Sequence, residues 1–567
     1  MNKRYLGLME KALSAYSDEH ILRYFSDVKR DGLTEHGFPR LTVNIGMLIS
    51  YGKRRDLLPL FLEMMEFCCK TIPTKKAAND FSVREIICCI WEIEKNNAVS
   101  KEDIERWKGY LTKIEPETCY SVYARTPTDS VKNWALFTGV SEFFRLKAGL
   151  CKNPKETLAF VELQIEQQLQ WFDENGMYKD ANGEFFQPIV YDIVPRFLFS
   201  ALLHVGYRGK YYEAIDSILR KAGLLTLKMQ SVTGELAFGG RSNQFLHNES
   251  TLAAILAYEA TRYQKEGDYA LAGKFKVALE QALKVAERWL SKTPITHVKN
   301  RFPIDSKFGC EGYAYFDKYM ITFASNLYMA NMFGDESIIP SAFDCSPMVW
   351  SMSKHFHKTF ARAGEYALEL DTNADTHYDA NGLGRVHKKN APSAICLSVP
   401  CPENESNYNH GDYQNKSPFS ICPAIKNENG EWLVGASVDC VWALTDSSAS
   451  EGEARVQFTC DFGKKGKATF ACNVSENGVL VEAKGNANEQ IGICLPAFFF
   501  DGEAHTKITE NGGKLCVSYD GWVCEYMAEK IENLQTEFAN RNGVYKGYIA
   551  SGTQKVQVKI KIYKLGG

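Results

Sequence analysis

Near residue 335 the hydrophobic period of this chain changes from three-to-four residues to two, and no single layer of secondary structure accommodates both. Before that point, amphipathic stretches of about 12 to 20 residues follow one another with short polar loops between them. The pattern predicts about a dozen helices, from Asn2 to Tyr16 through Ser130 to Ala148, Ile189 to Val205 and Asn248 to Glu266 to a last one over Tyr313 to Phe333. Sequential helices without strands form either an open α-solenoid or a closed ring of hairpins, and the lack of a fixed-period repeat favours the ring, an (α/α)6 toroid.

After about Pro340, segments such as ARVQFTCDF, KATFACNVS, GVLVEAKG and KVQVKIKIYKL alternate apolar with polar residues, as half-buried strands do. Asn477-Gly478, Asn511-Gly512, Asp520-Gly521 and Asn542-Gly543 punctuate them, because tight hairpins need positive φ. The predicted fold is therefore a multidomain α and β protein, with an N-terminal (α/α)6 toroid over residues 1–338 and a C-terminal antiparallel β-sandwich over 339–567. The mixed patterning of Ser341 to Ser406 suggests that loops of this part reach back toward the helices.

Composition narrows the function classes. With 45% hydrophobic and 24% charged residues the 567-residue chain is neither disordered nor fibrous. Its 66 Lys and Arg nearly balance 69 Asp and Glu, which gives no general attraction to nucleic acid or anionic lipid, so neither is an expected partner. Glu10, Lys11, Asp18 and Glu19 interrupt the amino terminus where a signal peptide would be apolar, and Pro59, Glu63 and Glu66 break the most apolar early stretch. These features lead us to expect a cytoplasmic protein without a membrane segment. The 17 cysteines lack any CxxC spacing and read as reduced, buried thiols. Walker A, GxGxxG, GxSxG and HExxH patterns are missing, so no cofactor or metal is expected.

In a helical ring, loops at one end converge on a central depression, and five polar segments qualify as its rim. YARTPTDSVKNWALFTG offers Arg125, Asp129, Asn133 and Trp134. WFDENGMYKDANGEFFQPIVYDIVPR brings Tyr191 and Asp192 to the start of an apolar helix. GGRSNQFLHNESTLAAILAYEA crowds Arg241, Ser242, Asn243, Gln244, His247, Asn248 and Glu249 ahead of another, more polar groups than capping requires. FGCEGYAYFDKYM supplies Glu311 and Tyr313 among aromatics suited to sugar faces. HYDANGLGRVHKKNAPS, from the strand region, carries His377, Asp379, Arg385 and His387. With His355 and His357 nearby a metal cluster is conceivable there, although the ligand spacing does not call for one.

A helical toroid followed by an antiparallel sandwich resembles the polysaccharide-active enzymes of that build, the heparinase II/III-like lyases and glycoside hydrolase family 154. NWALFTG, YDIVPR and GGRSNQ also resemble segments of bacterial toroid proteins. The resemblance implies an acidic, uronic-acid-containing oligosaccharide as substrate and a dimer face on the sandwich, hence a homo-oligomer. Arg241 and Arg125 suit a carboxylate. The primary expectation is a glucuronidase-like glycoside hydrolase using a pair drawn from Asp129, Asp192, Glu249 and Glu311. The alternative is a lyase that removes the proton alpha to the carboxyl with Tyr191 or His247 while Arg241, Asn243 or Gln244 stabilises the enolate. A non-catalytic glycan-binding protein is the third. Asn133, Trp134, Arg125, Tyr313 and Arg385 complete the expected substrate contacts.

Overall fold

The computed structural model describes every residue except Ala78, Val131, Asn182, Glu184, Ser353 and Gly567. Six helices, Gly37–Ser50, Val83–Lys95, Asn133–Lys147, Ile189–His204, Leu246–Glu266 and Phe316–Phe333, pack each against the next, and the last closes on the first. They are buried over most of their surface, the condition of a helix that is apolar all round. Amphipathic helices such as Leu58–Thr71, Pro154–Leu169, Tyr212–Met229 and Tyr269–Leu290 lie outside and cover them. The fold is the (α/α)6 toroid the periodicity predicts. The sequence reading passes over two helices, the single turn Pro116–Cys119 and the longer Asp18–Asp31, although the Ser17 side chain caps the latter by accepting from the His20 N–H at 3.1 Å.

The last helix ends at Phe333 and the first strand begins at Met348. The strands form three antiparallel sheets around one apolar core. A four-stranded meander runs from Met348–Ser351 to Gly382–Lys388. An eight-stranded sheet has Lys507–Asn511 and Val441–Ser450 as edges, and a five-stranded sheet has Ile531–Asn540 and Trp432–Val434. Strict alternation of burial along Glu453–Asp461 and Lys467–Ser475 places Phe458 opposite Phe470 in the core. Gly478 adopts φ +126° where Lys467–Ser475 turns into Gly478–Lys484, and a Cβ there would stand 2.5 Å from the Ile560 carbonyl oxygen.

The meander packs on the toroid through buried polar groups. Arg385 donates to the Leu236 carbonyl at 2.8 Å and pairs with Glu369 at 3.0 Å, while the Ser231 hydroxyl meets His387 Nδ1 at 2.7 Å. Below them Lys299 sits between Glu235 at 3.2 Å and Glu249 at 3.0 Å, all three fully enclosed. Two carboxylates on one ammonium are tolerable in a dry interior only while the cation stays. Lys299→Met is therefore expected to destabilise the protein by about 3 to 5 kcal/mol in chemical denaturation, and a loss below about 1 kcal/mol would show that the cluster is hydrated or the carboxylates protonated.

Candidate active site

One large cavity, of about 1130 Å³, opens at the end of the toroid where the inner helices begin. His36 and Arg40, Phe81, Asn133 and Trp134, Pro188 and Tyr191, His247, and Lys318 and Tyr319 line it, and each group stands at or just before the start of a different inner helix. The positive ends of these helix dipoles thus face one space, which favours an anionic occupant. Asp375 and Tyr378, from the loop that precedes Gly382–Lys388, close one side.

The loop before Leu246–Glu266 shapes the centre. Gly239 and Gly240 have φ of +149° and +71°, and added Cβ atoms would press within 3.0 Å of Lys358 and Pro188 respectively, so only glycine passes here. The Gly240 N–H donates to Asp379 at 2.6 Å, and the Ser242 N–H donates to Glu311 at 2.6 Å. Held this way, Ser242 takes the left-handed φ of +58° and puts its hydroxyl 3.1 Å from the Tyr191 hydroxyl and 2.9 Å from that of Tyr313. The Arg241 guanidinium lies 4.2 Å over the Tyr191 ring.

Asp180 anchors the opposite side. It accepts from the Asn133 amide at 2.8 Å and forms an ion pair with Arg241. Burial raises its carboxyl to about 6, against the pull of Arg241 and Asn133. Burial, reinforced by Arg40, pushes His247 down to about 3, so its imidazole is neutral. That ring stacks on Tyr319 at 4.5 Å, and its Nδ1 meets no hydrogen-bond partner among the described residues.

Of the expected site residues, the cavity gathers Asp129, Asn133, Trp134, Tyr191, Arg241, His247 and Tyr313. The rest stand elsewhere, each for a visible reason. Glu311 is clamped by Arg541 at 2.6 and 2.9 Å behind the Ser242 loop, and Glu249 belongs to the Lys299 cluster. Asp192 is buried between Arg196 at 2.5 Å and the Tyr178 N–H at 2.8 Å. Gln244 donates to Asn243 at 3.0 Å and accepts from Asn542 of the sandwich at 3.2 Å, and both side chains are buried outside the cavity lining. Arg125 is an exposed residue paired with Glu117, and Arg385 lies in the meander interface. The histidines of the strand region go to separate partners. His357 goes to Asp371, His377 to Asp375 and Glu403, and His387 to Ser231 and Ser398, and no group of three metal-ligating side chains converges among the described residues.

Asp180, His36, Arg40 and Tyr378 also line this space without having been singled out in sequence. One signal was available: polar residues just ahead of every second helix, as in EHGFPR, mark the inner-helix mouths of a ring.

No family model matches the chain, and no curated protein does. Among solved structures it is similar to a heparan sulfate lyase HepC mutant from Pedobacter heparinus, with 8% identity over 93% of this chain and 76% of that one and a TM-score of 0.46. A heparinase III aligns with 9% identity over 93% and 78%, TM-score 0.47. The Streptomyces coelicolor A3 chondroitin AC lyase in complex with chondroitin sulphate aligns with 9% identity over 99% and 83%, TM-score 0.47. Likeness at this level assigns no activity to this chain.

The raised Asp180 carboxyl makes a prediction about pH. Its folded form holds a proton more tightly than the unfolded chain, so the stability linked to this proton is complete below about pH 4 and is lost as pH rises through about 6. Relative to Asp180→Asn, the unmodified protein should lose on the order of 3 kcal/mol of unfolding free energy between those limits, at about 1.4 kcal/mol per pKa unit. Denaturant titrations of both proteins at several pH values would show it; a difference that does not vary with pH would mean that Asp180 titrates normally.

Proposed function

We propose that the protein is an oligosaccharide lyase that cleaves uronic-acid-containing glycans by β-elimination. The observation that carries this reading is the inventory of the cavity wall. Hydrolysis needs two carboxyl groups facing each other across the scissile bond. Glu249, Glu311 and Asp192 are each held by a buried cation outside the lining. Of the carboxylates that do line it, Asp180 is engaged by Arg241 and Asn133, Glu35 by Tyr24 and the Gly37 N–H, and Asp375 by His377, which leaves Asp129 without a facing partner carboxylate. Elimination instead needs a proton acceptor beside cations and amides, and Tyr191, Arg241 and Asn133 share one wall.

The chemistry follows from charge. The proton alpha to a uronate carboxyl leaves only when the enolate that forms is stabilised, and fixed donors in a partly dry cavity do this without reorganising. Arg241 and the Asn133 amide are the donors on the Tyr191 side, and Arg40, Lys132 and Lys318 are further cations in a lining that also holds Glu35, Asp129, Asp180 and Asp375. Tyr191, whose hydroxyl is already in a hydrogen bond, is placed to take the alpha proton. Tyr313, Trp134 and Tyr378 offer flat apolar faces for the rings on either side.

Incubation with a panel of uronic-acid oligosaccharides tests the reading. We expect ultraviolet absorbance from an unsaturated uronic acid to rise with each bond cleaved; new reducing ends without that absorbance would establish a hydrolase, and neither would leave a glycan-binding protein. Tyr191→Phe should lower kcat by about 10²-fold or more with the fold unchanged by circular dichroism, a loss of the size that acid-base groups contribute.

A further inference from the structure

Elimination needs an acid as well as a base, since the departing sugar oxygen leaves as an alkoxide unless it is protonated. We propose that the acid is Tyr313, and that Ser242 carries the proton to it from Tyr191. This rests on the elimination reading above. The three hydroxyls form a continuous chain, 3.1 Å from Tyr191 to Ser242 and 2.9 Å from Ser242 to Tyr313, and both tyrosines line the cavity. The two ends of the chain thus reach the substrate space while its middle does not need to.

The step balances within the chain. The electron pair of the alpha C–H bond becomes the new carbon–carbon double bond, and the bond from the beta carbon to the leaving oxygen breaks with its pair on oxygen. The Tyr191 oxygen accepts the alpha proton as its own hydroxyl proton moves to Ser242. The Ser242 proton moves to Tyr313, and the Tyr313 proton moves to the leaving oxygen. Every hydroxyl ends neutral, with its hydrogen turned the other way, and no outside acid is consumed.

Two further features fit this role. Ser242 occupies a left-handed conformation next to Gly239 and Gly240, where a third glycine would be free of the ~1 kcal/mol or more that a side chain costs. The hydroxyl is the only thing serine adds. Its placement is enforced from behind, by the Ser242 N–H on Glu311, by Asn248 on the Ser242 carbonyl at 3.0 Å, and by Arg541 on Glu311. Burial, with the charges of Tyr191 and Glu311, raises Tyr313 well above the ordinary phenol value, so it keeps its proton until a strong base such as a leaving alkoxide arrives.

Ser242→Gly and Tyr313→Phe test the relay, because glycine suits the backbone and phenylalanine keeps the ring. On an oligosaccharide that the unmodified protein cleaves, each should lower kcat by about 10²-fold while KM stays within about threefold. Rates in mixtures of light and heavy water should trace a bowed curve for the unmodified protein, the mark of several protons moving together, and a straight line for both variants. Because Tyr191 can take the alpha proton only as Tyr313 gives one up, Tyr313→Phe, like Tyr191→Phe, should stay slow on a uronate whose leaving group is nitrophenolate, where the loss of an acid that acted alone would be bypassed. Tyr313→Phe turnover within about threefold of normal on the oligosaccharide, a straight line for the unmodified protein, or recovery of Tyr313→Phe on the nitrophenyl uronate would each overturn the relay. An unmodified protein that never yields an unsaturated product sinks the elimination reading and the relay together, whereas normal elimination by the variants sinks the relay alone.

Discussion

A single buried ion pair between Arg541 and Glu311 ties the two halves of this protein to one another and to the candidate chemistry. Arg541 lies in the turn between two sandwich strands, Ile531–Asn540 and Gly543–Thr553, yet it is fully enclosed against the toroid. It grips Glu311 with two hydrogen bonds, donates a third to the Gly309 carbonyl at 2.7 Å, and stacks 4.0 Å from the Tyr408 ring. Charges this deep persist only when each bond is made, because removing either partner strands the other in a medium that cannot solvate it. Glu311 in turn receives the Ser242 N–H, and Ser242 brings the two cavity tyrosines together. The sandwich is therefore part of the site's framework.

The same logic recurs around the interface. Lys358 pairs with Asp371 at 2.6 Å and lies 3.5 Å from the centre of the Phe238 ring, just before the glycine pair, and Asp379 holds the Gly240 N–H. Burial raises Asp379 to about 7, and one of its carboxylate oxygens has no hydrogen-bond partner among the described residues. Each of these residues would look catalytic in a sequence. Their geometry instead makes them props that set the path of one loop, which is where acid-base chemistry needs sub-ångström control.

Ring closure supplies the other half of the site. Inner helices that share a sense of direction bring their amino-terminal ends to one mouth, so unpaired N–H groups and positive dipole ends surround the cavity. Arg40, Lys132, Arg241 and Lys318 stand there beside Glu35, Asp129, Asp180 and Asp375, so the charged side chains of the lining offset one another. With a net charge of only -3 on the protein and balanced side chains in the lining, any bias of the cavity toward an anion comes from the helix ends.

The amino-acid sequence by itself determined the architecture, because the period of the hydrophobic pattern is a local property: three-to-four residues for the toroid, two for the sandwich. It also carried the cavity positions of Asn133, Trp134, Tyr191, Arg241 and Tyr313, which sit where polar or aromatic residues open apolar helices. Asp18–Asp31 escaped notice although its cap and acidic first turn are written in the chain. Only the tertiary structure decided which carboxylates face the cavity. A glutamate at a helix start reads alike whether it meets substrate or a buried cation, and the cations that claim Glu311 and Glu249 lie 230 and 50 residues away. Local pattern cannot report partners brought together by closure of the ring and docking of the sandwich, and those long-range contacts separate the residues that build the site from those that line it.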